Sequence, residues 1–486
     1  MVPAAAEIIA VRRQDPWRLQ LDIAGSSGRF GLIYADERLE RALRDDASLR
    51  QVADVAQLPG LVGPSIGMPD IHQGYGFPIG GVAAFDVERG VVSPGGVGYD
   101  INCGVRLLRT RLDRRELAGR LDVLAEGLAQ AVPAGVGSRR GDLKLGRKDL
   151  TAVLEQGVGW AEQRGFTEPG DRAHIESEGC IADAAVADIS DRAFERGSAQ
   201  LGTLGSGNHF IEVDVVTEVH HQQAAERFGL QQGQIAVLVH TGSRGLGHQV
   251  CSDFLKRMPR AAERHGLVLP DRQLACAPVD SVAGRAYLAA MAAAANYAFV
   301  NRQLISHWVR RAFAQVLERP LERLGLELVY DVAHNMAKLE NHRVDGRPRR
   351  LCVHRKGATR AFPPGHPEVP ADYRAVGQPA LVPGDMGRYS HVLVGTERGL
   401  DEAYGSTCHG AGRRLSRNQA KKTARGRSIA AELGQRGIRV RSASRSTLAE
   451  EMPEAYKDAA DVVRVLEGAG LCRRVVKLEP LVVIKG

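Results

Sequence analysis

Residues 234–239, QIAVLV, form a continuous apolar run of strand length, which predicts a buried strand. The run delivers His240 at its carboxyl end, immediately before the glycine turn TGSRG. The arrangement recurs at residues 326–335, LELVYDVAHN, where a second apolar strand delivers His334 and Asn335. Strands of this kind require a sheet in the core, and open sheets gather ligands where such strands end. Two histidines at equivalent strand ends therefore point to one site.

Three glycine-rich stretches add candidate ligands. Residues 95–106, GGVGYDINCGVR, surround Asp100 and Cys103 with glycines that let the backbone turn sharply and approach a ligand. An aspartate oxygen and a thiolate three positions apart offer two metal-ligand types from one loop, against the alternative of a tight turn around a buried cysteine. Residues 201–213, LGTLGSGNHFIEV, lead into Asn208, His209 and a strand carrying Glu212. Such a loop exposes backbone N–H groups to phosphate, but it lacks the GxxxxGK[ST] form of a P-loop. In residues 68–86, Asp70 and His72 alternate on an extended segment and share a face, as either a structural or a functional pair.

Elsewhere the pattern is plainer. Residues 1–66 predict one or two strands and then a helix over 36–56. Residues 111–200 are helical in periodicity, with polar, glycine-broken surface insertions near 135–146 and 165–170, and residues 286–300 predict a buried helix. Asp345 and Gly346 signal a hairpin, and Arg355, Lys356 and Arg360 after it predict a basic loop. His409 precedes Gly410, Ala411 and Gly412 at an expected helix start, where free N–H groups would face phosphate. Arg413, Arg417, Lys421 and Arg425 recur every four residues, a basic helical stripe that faces either solvent or RNA. An apolar strand, PLVVIKG, ends the chain with Lys485.

Composition narrows the class. Of 486 residues, 44% are hydrophobic and 25% charged, as in a globular protein with a large core. No linker or repeat divides the chain, so one domain spanning residues 1–486 is expected. The N-terminus lacks a basic start and long apolar core, which argues against a secretory signal, and no run is fit to span a bilayer. Seven scattered cysteines without a CxxC pair argue for reduced thiols and a cytoplasmic setting. A net charge of +8 permits a polyanionic partner without requiring one.

Taken together, GGVGYDINCGVR, GSGNHFIEV, HTGSRGLGH, DVAHN, VHRKGATRAFPPG, STCHGAGR and VVIKG resemble, in this order, the RtcB family of RNA ligases. The resemblance implies a GTP- and Mn2+-dependent ligase joining RNA 2',3'-cyclic phosphate or 3'-phosphate ends to 5'-hydroxyl ends in tRNA splicing or RNA repair. It implies a dinuclear manganese site of Asp100, Cys103, His209, His240 and His334, with Cys103 bridging. The GTP pocket it implies comprises Asn208, His209, Phe210, Ile211, Glu212, His334, Asn335, Pro383, Gly384, Asp385, Met386, Ser390, His409, Gly410, Ala411, Gly412 and Lys485. Tyr456 would stack near the base, and His409 would carry GMP covalently. The implied fold is α+β, a single large domain with mixed sheets around the metal cleft. RNA is the implied partner; the sequence leaves open whether an archease-type activating protein is needed.

Softness alone would assign a Cys/His/Asp set to zinc, whereas the resemblance implies manganese, whose coordination phosphate oxygens would complete. Three rivals use the same residues: a dinuclear metallophosphoesterase, an enzyme that caps 3'-phosphates with GMP, and an RNA-binding protein with structural metals.

Overall fold

Two large sheets organise the chain, each assembled from strands distant in sequence. The structure, a computed structural model, describes residues 7–24, 28–44, 46–143 and 145–486. Residues 1–6, part of the N-terminus expected to carry no secretory signal, lie outside the described residues. One sheet has seven strands, in the order Ile8–Asp15, Arg18–Ile23, Phe30–Tyr34, Leu61–His72, Ile79–Asp86, Arg347–Lys356 and Asn335–Val344. The other runs Glu327–Ala333, Gly104–Asp113, Gln234–Thr241, Phe210–Val219, Cys472–Lys485, Ser390–Gly395 and Pro379–Val382, with Arg439–Ser442 pairing parallel beside the long C-terminal strand. Both sheets are mixed, since antiparallel pairs dominate and each contains one parallel pair. With the helices packed on them, this is the α+β architecture expected.

The register of the second sheet positions the site. Val105 pairs with His240, Phe210 pairs with His240, and Ala333 pairs with Gly104, so four strands reach the same edge together. Lys485 pairs with Phe210 and joins that edge. The apolar runs are buried as predicted: Ile235, Val237, Val239 and Val329 are each 0% exposed. The long helix Val282–Leu317 contains the predicted buried segment, with Ala293, Ala294 and Ala295 in the core. The Asp345–Gly346 hairpin forms, both residues taking the positive φ its turn requires. Among the described residues no helix is long and apolar enough to cross a membrane.

Four local expectations are corrected. The helix over 36–56 is two, Glu37–Leu43 and Ser48–Ala56, the first capped by Asp36 and the second following the Asp46 turn. Among the described residues three strands, not one or two, precede them. Arg355, Lys356 and Arg360 are not a basic loop. They lie in strands and are 4%, 6% and 1% exposed, because Glu340, backbone carbonyls and Glu176 with Glu368 receive their charges. His409 does not start a helix; the next one is Arg417–Thr423, capped by Ser416, so of the expected stripe only Arg417 and Lys421 lie on a helix, and Arg413 and Arg425 lie outside it.

Candidate metal and nucleotide site

The loop before Gly104 places Asp100 and Cys103 through a tight turn in which the Cys103 N–H donates to the Asp100 carbonyl at 2.9 Å and Asn102 takes a positive φ. Arg302 locks that turn from below. Its guanidinium donates to the Asn102 carbonyl at 2.8 Å and to the Thr241 carbonyl at 2.9 Å while pairing with Asp331, which also receives Arg106. All three charged groups are fully buried, so the ligand loop, the His240 strand and the His334 strand share one rigid support.

Two sets of ligand atoms result, each within 4.8 Å: Cys103 with His240 and His334, and Asp100 with Cys103 and His209. The Cys103 Sγ lies 3.3 Å from His240 Nε2 and 3.5 Å from His209 Nε2. His240 and His334 bring their Nε2 atoms to 3.4 Å. His209 faces the Leu204 carbonyl through Nδ1 at 3.0 Å and the Asp100 carboxylate through Nε2 at 2.8 Å. His209 Nε2 thus points at a carboxylate and lies beside a sulfur, an arrangement that suits a cation between them. Burial, then neighbouring positive charge, pushes His240 and His334 well below the usual histidine range, so both present lone pairs. An unpartnered buried Oδ1 on Asp100 adds to a donor set that suits divalent cations. Burial and the Asp100 carboxylate push the Cys103 thiol up, so cation binding must expel its proton. Burial raises Asp100, but His209 outweighs it and holds the carboxyl at about 2.

Asp100, Cys103, His240 and His334 wall a cavity of about 370 Å³. Of the nucleotide-pocket residues expected, Asn208, Phe210, Glu212, His334, Asn335, Pro383 to Met386, His409 to Gly412 and Lys485 line it. His209, Ile211 and Ser390 do not. His209 sits behind as part of a ligand set, Ile211 alternates to the opposite face and packs in the core, and Ser390 Oγ accepts the Gly384 N–H at 3.1 Å, bracing the 383–386 loop. Lys485 is 3% exposed, lies 3.9 Å from Glu451 and sits 5.4 Å over the Phe210 ring. Tyr456 also lines the cavity, its hydroxyl donating to Glu451, which Arg413 pairs at 3.0 Å.

His409 carries the clearest preparation for chemistry. Its Nδ1 lies 2.6 Å from Asp70 Oδ2, and the same oxygen accepts the His409 backbone N–H at 3.1 Å. Asp70, fully buried, therefore fixes the ring and leaves Nε2 with the free lone pair. Gly412 makes the approach possible: at φ +72° it lies so near the Asp70 carbonyl that a Cβ would fall 2.2 Å from that oxygen. His72, the other half of the sequence pair, turns its Nδ1 to the Asp70 carbonyl at 3.0 Å. Sequence reasoning missed the Arg302, Asp331 and Arg106 support. Its one local signal was charge inside apolar runs.

The family model described as tRNA-splicing ligase RtcB matches residues 51–486. The chain is 53% identical to the tRNA-splicing ligase RtcB of Archaeoglobus fulgidus over 454 residues, covering 93% of this chain and 94% of that one. It is 50% identical to the proteins of the same name from Thermococcus kodakarensis over 481 residues and Aeropyrum pernix over 483, each covering 99% of this chain and 100% of the relative.

Proposed function

The chain belongs to the tRNA-splicing ligase RtcB family, and from that premise we propose that it is an RNA ligase using GTP and manganese to join a 2',3'-cyclic phosphate or 3'-phosphate end to a 5'-hydroxyl end, in tRNA splicing or RNA repair. The observation that carries the reading is His409, held through Nδ1 by Asp70 on the wall of a cavity that is also lined by Asp100, Cys103, His240 and His334. A classical phosphohydrolase needs no such oriented imidazole; a nucleotidyl carrier does.

In this reading His409 Nε2 attacks the α-phosphorus of GTP, pyrophosphate leaves, and a histidine-GMP phosphoramidate forms. Water opens a cyclic end to the 3'-phosphate. An oxygen of that phosphate then displaces the imidazole and takes the GMP. The 5'-hydroxyl attacks the activated 3'-phosphorus, loses its proton and expels GMP as the phosphodiester forms. Asp100, Cys103, His209, His240 and His334 would hold two manganese ions, which supply positive charge to phosphoryl oxygens and acidify attacking groups. Asn208, Phe210, Glu212, the 383–386 loop, the 410–412 turn, Tyr456 and Lys485 would receive the nucleotide.

The test is incubation with α-labelled GTP and manganese, followed by denaturation. Label is expected on the wild-type chain and absent from His409→Ala, which should keep its manganese and still join RNA already carrying a 3'-guanylyl group. Label retained by the variant, or failure on pre-activated RNA with metals bound, overturns the role of His409. Hydrolysed ends without protein label would indicate a phosphoesterase, and accumulation of capped ends a capping enzyme. Repeating the reaction with and without an archease-type protein tests whether such an activating partner is needed.

A further inference from the structure

Asp70 fixes His409, and a cation stands behind it. Asp70 Oδ2 accepts both the Nδ1 and the backbone N–H of His409, while Oδ1 is buried without a partner. Among the described residues Asp70 has no ion pair with a lysine or arginine. Lys457 brings positive charge to the same place by another route. Its ammonium donates to the Pro69 carbonyl at 3.2 Å and to the Ile71 carbonyl at 2.6 Å, the two residues that flank Asp70 on the strand Leu61–His72. Its backbone N–H donates at 2.9 Å to the carbonyl of Gly412, the glycine that packs against Asp70. Burial draws the Lys457 pKa down to about 8 while Asp70 and Asp46 pull it upward, so the ammonium is charged at neutral pH. Neutral carbonyls anchor it, and its charge is left to act on the carboxylate between them.

A carboxylate that also faces a second cation stabilises a positively charged imidazole less. That matters when His409 Nε2 bonds the α-phosphorus and pyrophosphate departs with the electron pair, because the ring becomes cationic while its Nδ1 keeps the proton facing Asp70. In the next step an oxygen of the RNA 3'-phosphate bonds the phosphorus, the P–N bond breaks and its electron pair returns to Nε2. An adduct stabilised less is formed less completely and passed on faster. We propose that Lys457 is a positioning residue that sets, through Asp70, the reactivity of guanylylated His409, its charge keeping the adduct labile enough to hand GMP to RNA. The inference rests on the RNA-ligase reading.

The test separates the two steps. Lys457→Met and Lys457→Gln remove the charge, and Lys457→Arg keeps it. Each full chain is brought to equilibrium with α-labelled GTP, manganese and a fixed concentration of pyrophosphate, and the ratio of labelled to free chain is read after denaturation. Labelled chain is then freed of nucleotide and mixed with an RNA ending in a 3'-phosphate, and the transfer of label is timed in a single turnover. The neutral variants should hold about five-fold more adduct and transfer it about five-fold more slowly, the scale of one charge several ångströms from a half-buried carboxylate. Lys457→Arg should match wild type in both. A purely structural role would lower both steps together and would not raise the adduct. An adduct level that is unchanged or lower in the neutral variants, an unchanged transfer rate, an arginine variant that matches the neutral pair, or neutral variants that fail to fold where arginine folds, overturns the inference. A wild-type chain that takes no label from GTP would instead overturn the ligase reading itself.

Discussion

Cys103 belongs to both ligand sets, so its removal should empty both. Cys103→Ala is expected to lose bound manganese and RNA sealing together while remaining folded. Elemental analysis checks it, and two manganese equivalents in a variant that still seals would disprove the bridging role. A second residue-scale prediction concerns His354, buried between Phe77 and Phe85 beneath the turn that precedes the Asp100 loop. Its Nε2 accepts the Ser93 N–H at 3.2 Å, and burial pushes its pKa down to about 4. A histidine held neutral in the fold but free to protonate when unfolded binds fewer protons folded. Its stabilisation is whole above pH 6.5 and is lost as pH falls toward 4, by about 3 kcal/mol in all. Urea unfolding of wild type and His354→Leu across this range should show the difference between them shrinking with acid; a constant difference would refute it. Asp100, Cys103 and the histidines were legible one at a time, because ligand chemistry is a property of the side chain. The Asp70 partnership with His409 was not, since 339 positions separate them.

At the scale of elements, the long helix reaches the site through one arginine. Arg302 joins Asp331 on the next strand, Asn102 in the ligand loop and Thr241 beside His240, so the helix, two strands and the loop move as one. Asp331→Ala would leave Arg302 and Arg106 buried without a counter-charge, and should cost about 3–5 kcal/mol in chemical denaturation. Because the same guanidinium fixes the ligand loop, manganese content should fall as well. A stable variant with full metal would show the network to be irrelevant to the site. Elements with strong periodicity, such as the apolar strands and the alanine-rich helix, were readable from sequence. Arg347–Lys356 was misread at its end because charged residues resemble a loop until buried partners such as Glu340 are known.

For the whole molecule, the ligand sets tie together four chain segments, at Asp100 and Cys103, His209, His240 and His334. A cation bound only by the folded chain stabilises all of it, by about 2.7 kcal/mol at a hundred times its dissociation constant. Chelation should therefore lower the melting temperature of the manganese-loaded protein, and Cys103→Ala should be insensitive to chelator. An equal response in both would place the stabilising metal elsewhere.

What the sequence determined by itself is local: buried strands at 234–239 and 326–333, glycine turns presenting ligands, and a set of motifs whose order marks the family. These follow from side-chain chemistry and periodicity within about a dozen residues. Only the tertiary structure decided which of those groups meet. Strand register sets His240 opposite both Val105 and Phe210, and so brings Cys103 and His209 to one edge. Packing also buried Arg355 and Arg360 against carboxylates and left Arg192 and Lys256 without an ion pair among the described residues. Whether a charge is neutralised, buried or free depends on partners that packing supplies, and no short stretch of chain contains them.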